Sequence, residues 1–67
     1  QEILNISTDN HFIKTVNIYQ LDGRLVKTIQ VNDFHLRLDV RQFPKGIYIS
    51  EIITANNEFV SKKFIVE

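Results

Sequence analysis

A chain of 67 residues with no cysteine is expected to form one domain, 1–67, around one core held by packing alone. It buries only about 60% of the surface its unfolded form exposes and has no disulfide to reinforce it. The missing thiol also excludes thiol catalysis and cysteine-ligated zinc, without assigning a compartment. Eight basic and eight acidic side chains cancel, no basic run follows a phosphate backbone, and nucleic acid is not an expected partner.

No apolar run approaches the roughly 20 residues that span a bilayer. Gln1 to Ser7 lack a basic start followed by an apolar stretch, so any export leader is expected on a parent chain upstream. Short runs rich in Ile, Val, Tyr, Phe and Thr predict strands over 3–7, 12–21, 24–31, 35–40, 47–55 and 58–66. Six strands at this spacing predict an antiparallel sandwich.

In chain order, Asp22-Gly23 suits a two-residue type I′ hairpin, because glycine has no Cβ to clash at positive φ and aspartate tolerates it. The 35–40 segment alternates cleanly and predicts burial of Leu36, Leu38 and Val40. Phe43-Pro44-Lys45-Gly46 fits a type I turn, with proline second and glycine fourth. Asn56-Asn57 suits another two-residue hairpin, which sets Ala55 opposite Glu58, Glu51 opposite Lys62 and Ile49 opposite Phe64. Both faces of that hairpin keep apolar side chains, so part of the outer face is expected to meet a loop or a partner.

Three stretches resemble the type A C-terminal sorting domain of the type IX secretion system, found at the end of many secreted proteins of the Bacteroidota. Val16-Asn17-Ile18-Tyr19-Gln20-Leu21-Asp22-Gly23-Arg24-Leu25-Val26 is similar to the family's Ile-Tyr…Gly…Val pattern. Leu38-Asp39-Val40-Arg41-Gln42-Phe43-Pro44-Lys45-Gly46-Ile47-Tyr48 resembles its Asp-Val-Ser-x-Leu-Pro-x-Gly-x-Tyr segment, with Arg41 where serine is common and Phe43 where leucine is common. Ser61-Lys62-Lys63-Phe64-Ile65-Val66-Glu67 looks like the closing Lys-Lys-hydrophobic segment. The resemblance covers nearly the whole chain.

It implies an all-β, antiparallel, immunoglobulin-like β-sandwich of six to seven strands. The N-terminal strand, which in the family carries Tyr-Pro-Asn-Pro, is expected to be missing. The implied function is a folded C-terminal secretion signal. The parent would fold in the periplasm and present this tail to the outer-membrane export machinery and its shuttle protein, and a surface sortase would remove it, leaving the cargo at the cell surface or secreted. The implied motif residues are Gly23, Asp39, Gly46, Tyr48, Lys62, Lys63, Phe64 and Val66, with Lys62, Lys63 and the terminal strand as recognition elements. An open sheet edge in such a fragment also favours edge-strand homodimers or strand exchange.

Physical readings stand beside these roles. Gly23 and Gly46 are turn residues, and Tyr19 and Tyr48 are packing residues whose hydroxyls are expected to reach the surface. Asp39 precedes a turn whose N–H groups its carboxylate can accept. Lys62 and Lys63 protect an edge, with a weak Glu51–Lys62 pair. His11 and His35 lie in different segments and make no metal or acid–base constellation, and Ser7, Ser50 and Ser61 lie in no nucleophile elbow. The sequence therefore calls for no cofactor and no enzyme activity. The rival reading, an immunoglobulin-like spacer or carbohydrate-binding adhesion module, uses the same fold but lacks tryptophan for a sugar platform.

Overall fold

The computed structural model of the chain describes residues 2–67. Its strands are β1 Ile3–Ser7, β2 Ile13–Gln20, β3 Leu25–Asp33, β4 His35–Asp39, β5 Gly46–Thr54 and β6 Phe59–Val66, with a single 3-10 turn over Val40–Gln42 between β4 and β5. They form two antiparallel sheets, β1-β4 and β3-β2-β5-β6. The fold is thus an all-β, six-stranded sandwich in which two strands lie over four.

Alternation decides what each strand buries. Val16 and Ile18 of β2, Tyr48 and Ile52 of β5, and Phe64 and Val66 of β6 point inward, to meet Ile6 of β1 and Leu38 of β4. Val16, Ile18 and Val40 are wholly buried, and each such aliphatic contributes about 1.5–3 kcal/mol. Leu38 and Val40 are buried as the pattern predicts, whereas Leu36 is half-buried at the margin of the small sheet. Between β3 and β4 the chain switches sheets at a corner. There Asn32 adopts φ 52° and the β2–β3 register slips, the device by which a bulge bends a strand from one layer into the next.

Three turns differ from the sequence-based expectation. The β2–β3 hairpin closes with Gly23 N–H donating to Gln20 O and Gln20 N–H to Arg24 O. That is a three-residue loop with Gly23 alone at positive φ, 94°, not a type I′ pair. The β5–β6 hairpin repeats the design: Asn57 N–H donates to Thr54 O, Thr54 N–H donates to Glu58 O, and Asn57 takes φ 65°. A type I turn followed by one left-handed residue supplies the strand twist that a two-residue loop obtains from two positive φ values.

The extra loop residue shifts the register by one. Ser50 faces Lys62, Tyr48 faces Phe64 and Gly46 faces Val66, so the expected Glu51–Lys62 and Ile49–Phe64 pairs do not form. Glu51 instead faces Ser61. The third difference lies at 40–46, where the reversal begins with the 3-10 turn, Phe43 N–H donating to Val40 O at 3.0 Å, and continues as bends at Phe43 and Lys45 rather than a hydrogen-bonded turn.

Candidate functional site

The three sequence motifs, far apart in the chain, converge at one end of the sandwich. There Tyr48 is the central post, with its ring centroid 5.5 Å from that of Phe43 on one side and 5.5 Å from that of Phe64 on the other. Its hydroxyl donates to Pro44 O at 2.5 Å. Tyr48 is 1% exposed, so its hydroxyl does not reach the surface as expected; it pins the bend that precedes β5. Gly46, two residues earlier, sits at φ 153°, and a Cβ there would stand 3.9 Å from the Tyr48 ring. Backbone conformation, not space, selects the glycine.

Gly23 serves its hairpin in the same way, with no atom within 4 Å of a would-be Cβ. Its loop lies beside the Pro44-Lys45 bend across a shallow depression. Asp39 caps the 3-10 turn: its Oδ1 accepts the Arg41 backbone N–H at 3.0 Å and Arg41 Nε at 3.0 Å, while Oδ2 accepts the guanidinium at 2.7 Å. These hydrogen bonds from Arg41 hold the Asp39 carboxyl down at about 2 and raise the Arg41 pKa in return. Arg41 also reaches Glu2 at 3.5 Å, and Val40 N–H donates to Glu2 O. The second motif thus ties the entry of β1 to the turn.

Phe64 and Val66 are buried parts of this cluster, whereas Lys62 and Lys63 are exposed and stand farther along β6. The closing pair Thr54–Glu58 shows which way each β6 residue points. Antiparallel pairs alternate, so Val60, Lys62, Phe64 and Val66 bond to β5, while Phe59, Ser61, Lys63 and Ile65 turn their N–H and C=O groups outward. The Ser50 hydroxyl, donating to Lys62 O at 3.1 Å, agrees with this. β6 is therefore a free edge, paired without a register break over its whole length. The opposite edge, β3, is interrupted by two register shifts.

A family model of the secretion system C-terminal sorting domain matches residues 1–67, the whole chain. The chain belongs to this family. No curated protein matches it at a significant level. As a type IX C-terminal sorting domain it is a secretion signal, which implies a cargo N-terminal to it, the secretion machinery as its reader, and the cell surface or the medium as destination. The family is not one of enzymes.

The sequence does not disclose two features of this sorting domain. On the outer face of the large sheet, Thr28 donates to Asn17 Oδ1, and Asn17 and Tyr19 both donate to Glu51 Oε1, at 3.1 and 3.3 Å. Partial burial, and then the neighbouring Glu51 carboxylate, raise the pKa of the Tyr19 hydroxyl. Correct registers would have revealed that network, since Asn17 faces both Thr28 and Glu51. The other feature is a groove of about 250 Å³ between β1 and β6, with Leu4 and Ile6 on one wall, Val60 and Phe64 on the other, Ile52 on the floor and Lys62 and Lys63 at the rim.

Proposed function

We propose that this sorting domain acts as a folded address read through its last strand, with Lys62, Lys63 and the outward backbone groups of β6 as the contact. The carrying observation is the edge itself. β6 ends the large sheet, keeps an unbroken register, and shows Phe59, Ser61, Lys63 and Ile65 to solvent. Gly23, Asp39, Gly46, Tyr48, Phe64 and Val66 act one step removed, by holding that strand in place. Strand addition to such an edge is a general mode of protein recognition.

On this reading the parent folds in the periplasm, an outer-membrane channel and its shuttle engage β6, and a surface sortase then removes the tail. A sugar-binding module is less well supported. The exposed aromatics Phe12 and Phe34 meet edge to face at 79°, whereas a sugar platform needs coplanar rings. The test is to fuse residues 1–67, alone and with the residues adjoining them in the parent, behind a reporter with its own export leader in a host that has the type IX system. Surface delivery that depends on the fusion is expected. Periplasmic retention of the reporter with both fusions would refute the address.

A further inference from the structure

We propose that β6 and the groove beside it receive an extended strand of a partner protein that carries two adjacent carboxylates flanked by apolar residues. This deepens the address reading by naming the chemistry of its reader, and it rests on that reading. Four observations converge. The outward N–H and C=O groups of Ser61, Lys63 and Ile65 form an unpaired, unbulged ladder. Such a ladder templates another strand. Beside it lies the groove, walled by Leu4, Ile6, Val60 and Phe64, which takes the inward side chains of an added strand.

The wall of that groove holds an orphan. Thr8 Oγ1 is buried and has no hydrogen-bond partner, although it lines the groove. Buried hydroxyls ordinarily have a partner, and an entering strand brings backbone groups that can supply one. Charge then selects the strand. Among the described residues both ion pairs belong to Arg41, which leaves Lys62 and Lys63 without a carboxylate.

Because the register places Lys62 on the inner face and Lys63 on the outer, two consecutive acidic residues on an added strand meet one lysine each. A second copy fits badly. Because only odd-numbered residues of β6 bond outward, antiparallel pairing of two β6 strands near full overlap sets either Lys62 against Lys62 or Lys63 against Lys63. Like charges directly opposite are destabilising.

The test uses the full chain and a capped eight-residue peptide with two central glutamates flanked by alternating valine and threonine. Matched peptides carry lysine or glutamine in place of the glutamates. Fluorescence anisotropy of labelled peptide should show the glutamate form binding about tenfold or more tighter than the lysine form. Amide exchange should slow at Ser61, Lys63 and Ile65.

Ser61→Pro removes one outward donor and leaves the β5 ladder intact, as edge strands tolerate; it should abolish that protection. The double change K62Q and K63Q should erase the preference for glutamate while circular dichroism stays unchanged. Equal binding of all three peptides, no binding, protection on β3, or a stable dimer that the glutamate peptide does not displace would each overturn the proposal. A fusion that is still exported while the peptide results fail would sink this inference alone. Failure of both fusions to direct export would sink the address reading.

Discussion

Replacing Tyr48 separates the mechanical role of the second motif from any role in recognition. Tyr48→Phe deletes only the hydroxyl that donates to Pro44 O and leaves both ring contacts, with Phe43 and Phe64, in place. Losing one net hydrogen bond from a partly buried site costs about 0.5–1.5 kcal/mol. For a chain of this size 1 kcal/mol lowers the melting temperature by about 4–8 °C. Tyr48→Ala also removes the ring between two aromatic neighbours, and truncations of large buried side chains cost about 3–5 kcal/mol. Against a total stability of about 3–10 kcal/mol at this length, the alanine variant loses from about a third to all of its stability.

Urea titration followed by circular dichroism measures both variants. The expected order is wild type, a modestly weakened phenylalanine variant that still directs export, and an alanine variant whose midpoint lies far below both. Two results would refute the reasoning. One is an alanine variant as stable as the phenylalanine variant; the other is a phenylalanine variant that folds normally yet is not exported, which would make the hydroxyl a contact rather than a strut.

Gly46→Ala should cost about 1–3 kcal/mol by forcing a side chain onto φ 153°, and a denaturation midpoint equal to wild type would contradict that. Asn57→Val should destabilise by about 1–2 kcal/mol, since a β-branched residue must hold the φ 65° position that closes the β5–β6 loop, again read by urea titration. Lys62→Ala with Lys63→Ala should move stability by no more than about 0.5 kcal/mol, because both side chains are exposed and unpaired with acid. The Asp39 carboxyl lies at about 2 when folded, below its ordinary 3.8. Its contribution is therefore complete above the ordinary value and is lost as pH falls toward 2. Asp39→Asn should flatten that part of the acid-denaturation profile, and an unchanged profile would show that the Arg41 contact does not carry it.

The strands and much of the core could be read from residue type and alternation. Ile and Val runs locate β2, β3 and β5, and the 35–40 pattern marks Leu38 and Val40 for burial. Register could not be read, because it turned on the backbone of Asn57. Asparagine dipeptides favour a two-residue hairpin, but Ala55 joins the loop here and one positive φ does the work of two. That slip carries the whole of β6 to the opposite face. It brings Phe64 and Val66 under the small sheet beside Tyr48 and turns Lys62 inward. A cue was available: only the slipped register collects Tyr48, Ile52, Phe64 and Val66 on one face. The groove was hidden for a different reason, since it exists only because a two-stranded layer covers a four-stranded one, and no local pattern states which strands share a sheet.

The two edges of the large sheet show how a small sandwich can avoid indiscriminate pairing and keep one strand open. β3 is blunted by geometry: its two register shifts break the spacing that an incoming strand would need. β6 has no such break, so its only local defence against copies of itself is charge, at Lys62 and Lys63. Defence by shape excludes every strand, whereas defence by charge excludes only strands of the same sign. On the proposal above, an edge guarded by lysines stays available to a carboxylate-bearing strand, and the residues that disfavour pairing of the domain with itself would be the ones that choose its reader. Moving the guard tests the difference. Introducing a proline at both Ser61 and Lys63 would close the edge by shape; self-association should stay low while export is lost, whereas Lys62→Glu with Lys63→Glu should reverse the choice of peptide without unfolding the sheet.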